Sequence, residues 1–474
     1  MTTSWLSSIT ILYDNTLEKG VLYDARTNSI VTVTTESAKL LAVMQQNKIA
    51  GVLSRDKETI IETKLQNAFL NVQKEFLQPT PIFTEHGKIN NLEILIQTGC
   101  NLHCKYCFAD GGTYGQTTTH FSPEQGRNLI RTLAAQGIRQ IACITFFGGE
   151  PSIYPDTIQA ICEECSQLFS AQVFQAVPNY YMVTNGVSIS SKCIQVIRQY
   201  NIHLTISLDG PAEINDRLRI FQNGCGSYNY VYNNIKTLRE HGIEPALIEA
   251  TYTSLHEQAD YSREDTVTAL KSELGVQNIY LCDCNGGNYE PRPESITELI
   301  NRDNQHLKKL FEENECDDIP AKLLQFIFET SKLLSMKEFS DFLCDVGLKS
   351  ITVLPTGDVY PCHYFIGNSD FLFGNIFEET FTLDGMSKAA EKKRCFTKLS
   401  QKTCKDCWAR NFCSRCVFHM YEAQSNDILR NEFAEGCEII KNRLKKIILG
   451  LSNMSQCRRK ELYSRIVTRQ TSSD

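Results

Sequence analysis

The chain has no long apolar run, no excess of basic residues and no opening stretch that reads as a secretory signal. Each absence narrows the function. Without about 20 consecutive apolar residues there is no candidate membrane span. The N-terminus, MTTSWLSSITILYDN, shows no basic region followed by an apolar core and a cleavage site, so the expectation is a cytoplasmic protein with no membrane partner. Net charge is −7 over 474 residues, which gives no reason to expect nucleic acid. The tail from Lys441 onward is mostly basic and reads as the solvated face of a terminal helix.

Cysteine, in contrast, is abundant. The chain holds 20, and in a reducing compartment such a number points to metal ligation rather than to disulfides. Their clustering supports this. TGCNLHCKYCFADGGTYG, residues 98–115, places Cys100, Cys104 and Cys107 in one loop. Three thiolates do not complete a tetrahedral zinc site, but they can hold three irons of a 4Fe–4S cluster and leave the fourth open for a cofactor. Downstream stand Cys344, Cys362, then CKDCWARNFCSRC with Cys404, Cys407, Cys413 and Cys416, then Cys437. Paired spacings of this kind also suit a zinc ribbon.

Hydrophobic periodicity divides the chain. Residues 1–80 alternate apolar and polar positions before the helical ESAKLLAVMQQN, predicting a small sheet with helices packed on it, and residues 77–91 read as a linker. From Leu92 a unit repeats in which a short apolar strand is followed by an amphipathic helix; the strands are LEILIQT, QIACITFFGGE, NYYMVTNG, IHLTISLDG, PALIEATYT and VQNIYLCDC. Ser122, Pro123 and Gln125 form an N-cap, a first-turn proline and a capping-box partner, and Gly137 sits where that helix should stop. Six strands alternating with helices predict an α/β fold, a partial (β/α)6 barrel over 92–310, with its chemistry at the strands' C-terminal ends. A helical linker over 311–343 leads to a cysteine-rich region, 344–440, too loop-rich to stand without metal, and a helix closes the chain over 441–474.

Cysteines spaced C-x3-C-x2-C after a first strand, with Tyr106 before the last, resemble the radical S-adenosylmethionine (SAM) superfamily. Further strand ends extend the resemblance: FFGGEP (Gly148, Gly149, Glu150, Pro151), VTNG (Asn185) and SLDG (Ser207, Asp209). Taken singly, each is an ordinary turn. The resemblance implies that the first segment meets the methionine amino group and that Asn185, Ser207 and Asp209 face ribose and carboxylate. NDRLRIFQNGCGSY is similar to a further family segment, with Asn215 where the family has histidine and Arg219 as a carboxylate partner. The implied chemistry is reductive cleavage of SAM to a 5′-deoxyadenosyl radical that abstracts hydrogen from an unactivated carbon, fed by a flavodoxin- or ferredoxin-like donor.

The second cysteine field resembles the SPASM extension. That resemblance implies two auxiliary 4Fe–4S clusters, three clusters in all: Cys404, Cys407, Cys413 and Cys437 on the outer one, Cys344, Cys362 and Cys416 on the inner one. An open inner iron would take a substrate thiolate, or Cys282, Cys284 or Cys395 would close it. In LCDCNGGN, Cys282 and Cys284 are candidate ligands or hydrogen-atom donors and Asp283 a candidate general base; buried small residues beside a turn are the plainer reading. His363 stands where sulfatase maturases carry an aspartate base, and it reads as a base, a cluster neighbour or a structural histidine. YPCHYFIGN and CFADGGTYG resemble thioether-forming maturases of ribosomally made peptides, and residues 1–80 resemble the winged-helix-like element that binds a leader peptide. The expected activity is thioether formation in a precursor peptide. Epimerisation, carbon–carbon cross-linking, maturation of a folded protein as in sulfatases or quinohemoproteins, and a vestigial iron–sulfur protein are the alternatives.

Overall fold

The computed structural model describes residues 5–25, 28–70, 87–285, 287–315, 319–336, 344, 346–347, 349–392, 398, 401–425 and 427–471. The chain divides into two compact units, one built from residues 1–80, 294–344 and 395–472 and the other from 81–293, 345–394 and 473–474. The boundaries at 344/345 and 394/395 fall within the cysteine-rich stretch 344–440.

In the first unit, β1 (Thr10–Leu12), β2 (Lys19–Asp24) and β3 (Ser29–Thr34) form an antiparallel sheet in that order. The helix Thr35–Ile49 starts directly from β3 because the Thr34 side chain accepts from Ser37 N, capping a free backbone donor. Leu22 packs with Leu6, Ile61, Leu65 and Phe69. On the other side of the sheet, Leu12, Val21 and Tyr23 share a core with Ala409, Phe412, Leu444 and Ile448. The loop carrying Cys407 and Cys413 is therefore built onto the N-terminal sheet. A buried polar contact fixes the register, with Asn411 Nδ2 donating to Tyr23 Oη (2.9 Å) and Ala25 O (2.8 Å) and Tyr23 Oη donating to Asn28 Oδ1 (3.0 Å). In place of the single closing helix expected over 441–474, one helix runs from Asp427 to Asn453, starting 14 residues earlier, and a second spans Gln456–Thr471, so Cys437 is borne on a helix. No glycine or proline precedes Cys437 in that stretch except Gly436, and nothing there breaks the helical pattern.

The second unit is the α/β layer. Strands β4 (Lys88–Gln97), β5 (Gln140–Gly148), β6 (Asn179–Thr184), β7 (His203–Ser207), β8 (Leu247–Tyr252) and β9 (Ile279–Asp283) are mutually parallel in sequence order. These are the six strands predicted. Two further strands, β10 (Ser350–Val353) and β11 (Val359–Tyr360), extend the sheet beyond β4, with β10 parallel to β4 and β11 antiparallel to β10. Gly357 makes their tight turn at φ +92°, where a side chain would strike Asn375 and Phe377.

Strand alternation sorts the faces. Leu92, Ile94, Ile144, Phe146, Leu204, Ile206 and Ile248 are fully buried in one core with the helices, each contributing about 1.5–3 kcal/mol by leaving water. The intervening Asn91, Glu93, Thr145, Thr205 and Glu249 are only partly buried on the opposite face. The helix Pro123–Ala135 carries the predicted capping box, and Gly137 follows it at φ +98°. At the end of β4 the pairing with β5 shifts between Leu95 and Gln97, a bulge that re-aims the chain into the 98–115 loop. Among the described residues, no helix is long and apolar enough to cross a membrane.

Tyr23→Phe deletes the shared oxygen of the Tyr23–Asn28–Asn411 trio. We expect a loss of about 1–3 kcal/mol, read as a lower urea midpoint of the full chain.

Candidate functional site

The 98–115 loop leaves β4 and is held on both sides of Cys104: His103 N donates to Ile220 O (2.6 Å) and Lys105 N to Leu218 O (2.9 Å). Cys107 N donates to Cys104 O (3.1 Å), tightening the turn between the second and third cysteines. Cys100 Sγ accepts from Leu102 N (3.4 Å) and from Asn185 Nδ2 (3.5 Å). The loop seats on glycines because nothing larger fits. A Cβ on Gly149 would lie 1.7 Å from Gly99 O, and one on Gly112 would lie 2.4 Å from Gly149 Cα.

Burial pushes the Cys100 thiol up to about 12 and the Cys104 thiol up to about 11; the Glu150 carboxylate adds to the first, and the Arg219 guanidinium opposes the second. Such sulfurs carry negative charge only beside a strong local cation. Three cysteines on one loop, each given its own iron, suit a cluster better than a single tetrahedral ion, which would still lack a ligand.

Glu150 joins the strand ends. Its Oε1 accepts from Ser152 N (3.0 Å) and Thr184 Oγ1 (2.6 Å), its Oε2 accepts from Asn185 N (2.6 Å), and its carbonyl accepts from Gln97 Nε2 (2.8 Å). Burial pushes this carboxyl up, while those donors pull it back. Asn185 Nδ2 also donates to Asn101 Oδ1 (2.8 Å), and Asn185 Oδ1 accepts from Val187 N (3.0 Å). Pro151 opens a short 3-10 turn, and Ser207 ends β7 half-buried.

Behind the loop, Tyr106 Oη donates to Asp209 Oδ2 (2.5 Å) and accepts from Arg219 Nη1 (2.8 Å). Asp209 Oδ1 accepts from Thr251 N (3.0 Å) and lies 3.8 Å from Arg219. Asn215, the position where the family pattern has histidine, accepts from Asp209 N (3.3 Å) and donates to Ser227 Oγ (3.2 Å), so it orders this loop. Sequence reasoning missed His256. Its Nδ1 accepts from Thr253 N (3.0 Å), which leaves the proton on Nε2, facing Asp209 O at 2.6 Å. The only sequence signal was Thr253 three residues before it, at the head of a short helix.

This geometry agrees with likeness to known proteins. Residues 94–270 match the radical SAM superfamily, and residues 344–408 match the SPASM iron–sulfur cluster-binding domain. The chain is an enzyme with a radical SAM domain and a SPASM domain. It is 25% identical over 400 residues to the cysteine-type anaerobic sulfatase-maturating enzyme of Clostridium novyi, covering 78% of this chain and 98% of that relative. It is 24% identical over 290 residues to the antilisterial bacteriocin subtilosin biosynthesis protein AlbA of Bacillus subtilis, covering 60% of this chain and 56% of that protein. The structure of native anSMEcpe with bound AdoMet shares the fold at TM-score 0.53 and 20% identity, over 68% of this chain and 88% of that one. The radical SAM domain implies SAM and a 4Fe–4S cluster, and the SPASM domain implies auxiliary iron–sulfur clusters.

Of the SPASM-region cysteines, Cys404, Cys407, Cys413 and Cys437 all belong to the first unit, and their charges act on one another. Cys407 N donates to Cys404 O (3.1 Å), and Arg415 Nη1 donates to Cys437 Sγ (3.5 Å). Cys344 and Cys416 belong to the same unit and Cys362 to the other; Cys395 lies outside the described residues. At the end of β9, Asp283 is gripped by both Arg263 nitrogens (2.9 and 2.8 Å), and that guanidinium lies over the Tyr252 ring at 4.3 Å. Cys282 is half-buried with Sγ 3.6 Å from Ala250 O; Cys284 is buried and its thiol pushed up to about 11 by burial. His363 Nδ1 meets both oxygens of Glu93 at 3.0 Å, and Glu93 accepts from Thr352 Oγ1 (2.6 Å). Phe108, Phe147 and Tyr364 surround that imidazole. Glu93 had no sequence signal, since its partner lies 270 residues away.

Glu150→Gln gives the three donors one accepting oxygen and an amide that repels them. Stability should fall by about 1–3 kcal/mol, and iron bound per chain after reconstitution should fall with it, read by denaturation and iron assay.

Proposed function

We propose that this enzyme acts on a ribosomally made precursor peptide and joins a cysteine sulfur to an unactivated carbon. The observation that carries the peptide reading is the N-terminal sheet. Among the described residues β3 pairs with no strand but β2, so it stands at the sheet's edge, where an extended strand could add. The helices Thr35–Ile49 and Arg55–Leu70 contact β3 and expose Leu40, Val43 and Ile60, each more than half accessible. Exposed apolar side chains on helices that contact an edge strand suit a peptide that adds backbone hydrogen bonds and buries alternate side chains. The likeness to AlbA, a bacteriocin biosynthesis protein, agrees with this substrate class.

In this reading Cys100, Cys104 and Cys107 hold the SAM-binding cluster, Cys404, Cys407, Cys413 and Cys437 the outer auxiliary cluster, and Cys344, Cys362 and Cys416 the inner one. When bound, SAM at the first cluster would supply, on reductive cleavage, the 5′-deoxyadenosyl radical that takes hydrogen from carbon, and an auxiliary cluster would supply an acceptor for the electron left over. The chain's own residues orient and shield. Asn185 and Ser207 line the SAM side of the strand ends, and His363, anchored on Glu93 within an aromatic wall, borders the peptide. Asp283, already neutralised by Arg263, serves as a structural tie rather than as a base. Cys282, less buried than Cys284, is the better candidate to meet substrate.

A second reading, maturation of a protein cysteine, is favoured by the near-complete coverage of the sulfatase-maturating relative. His363 in place of an aspartate after Cys362 speaks against it. Mass spectrometry separates the two after anaerobic incubation with SAM and reductant in heavy water. Loss of two hydrogens per event from a leader-bearing, cysteine-rich peptide, with its cysteine no longer alkylatable, is the expected result. Deuterium uptake without hydrogen loss indicates epimerisation, and turnover of a sulfatase peptide alone indicates the second reading.

Leu40→Glu with Val43→Glu should weaken leader-peptide binding by about tenfold or more, since each removes an apolar contact that the bound peptide would bury. Titration calorimetry reads the affinity, and SAM cleavage without peptide should stay at the wild-type rate.

A further inference from the structure

Arg219 sits in the segment whose neighbours, Leu218 and Ile220, accept hydrogen bonds from Lys105 and His103. The two bonds bracket Cys104 on one strand of the contact and Arg219 on the other. Arg219 is 7% exposed. Its one carboxylate partner among the described residues, Asp209, does not reach it in a fork. Tyr106 is interposed, accepting from Arg219 Nη1 at 2.8 Å and donating to Asp209 at 2.5 Å, while Nη1 and Asp209 Oδ1 stay 3.8 Å apart. Arg219 Nε is buried and has no hydrogen-bond partner. A buried cation, incompletely neutralised and with an N–H to spare, is costly unless something negative lies beside it.

We propose that Arg219 is an electrostatic tuning residue of the SAM-binding cluster, and that the Arg219–Tyr106–Asp209 relay sets how readily this cluster accepts an electron. This rests on the reading that Cys104 ligates that cluster. Cluster potentials depend on net charge and on hydrogen bonds to the sulfurs. Reduction adds a negative charge, which the Arg219 cation stabilises across a poorly screened interior, whereas Asp209 opposes it. Tyr106 keeps the two charges separated, so that the cation is not cancelled by its own counter-ion.

The test uses full-length reconstituted wild-type enzyme, Arg219→Gln, Arg219→Lys and Asp209→Asn. Each is poised at a series of potentials and followed by the electron paramagnetic resonance signal that SAM perturbs. At the wild-type midpoint, Arg219→Gln should hold about tenfold less reduced relative to oxidised cluster, a shift of about 59 mV for one electron. Arg219→Lys should largely restore it, and Asp209→Asn should shift it the opposite way. Shifts of the same sign in Arg219→Gln and Asp209→Asn, or none in either, overturn the proposal. An unshifted potential with weakened SAM binding overturns it too, by making Arg219 a SAM contact. If Arg219→Gln does not retain iron, the direction of the Asp209→Asn shift decides. Absence of any SAM-sensitive signal in the wild type overturns the cluster assignment itself, a result distinct from an unmoved potential.

Discussion

The carboxylate of Glu150 is where two strand ends and the cysteine loop become one object. It is 1% exposed and would be a burden to the fold if its oxygens were not fully engaged. Three donors from Ser152, Thr184 and Asn185 satisfy them, and those donors sit at the start of a turn after β5 and at the end of β6. The Asn185 side chain then carries the order forward to Cys100 Sγ and Asn101. A residue expected from the sequence to face SAM thus also holds the protein itself together through its side chain. The requirement for glycine at 149 follows from the same arrangement, because the backbone at Gly99 is pulled onto it.

The polar network on the far side of the loop works by a different principle. Tyr106, Asp209, Arg219, Asn215 and His256 come from three separate stretches, and only 209, 215 and 219 are close to one another in sequence. Their hydrogen bonds are nearly complete, with the Arg219 Nε as the exception. Buried networks of this sort are rigid when satisfied and unforgiving when not. The loop that mounts three thiols is therefore gripped from one side by glycine packing and from the other by a charged network.

Much of this was legible in the sequence where the signal is local. Strand alternation around Leu92, Ile144, Ile206 and Ile248 predicted the six parallel strands, and Ser122 with Gln125 predicted a cap that is present. Spacing alone located the cysteine groups. What escaped were contacts with no local signature: Glu93 with His363, His256 with Asp209, and the addition of β10 and β11 to the edge beyond β4. The last was hidden because ITVLPTGDVYP lies among cysteines and was read as part of a loop-rich, metal-stapled region. Only the hydrogen-bonding demand of the β4 edge reveals that it belongs to the sheet. The pairing of Asp283 with Arg263 escaped in the same way, because the arginine lies 20 residues earlier and off the strand.

The packing of Leu12, Val21 and Tyr23 against Ala409, Phe412 and Leu444 has a practical meaning for anyone dissecting this protein. The N-terminal sheet is not a detachable handle. Excising it would strip one wall from the hydrophobic core beneath Cys407 and Cys413 and leave Asn411 facing solvent. A truncated chain would then report on the collapse of the auxiliary-cluster loop rather than on substrate capture. Transplanting the sheet onto another maturase would fail for the complementary reason, since its Tyr23 face would arrive without the surface it evolved to cover.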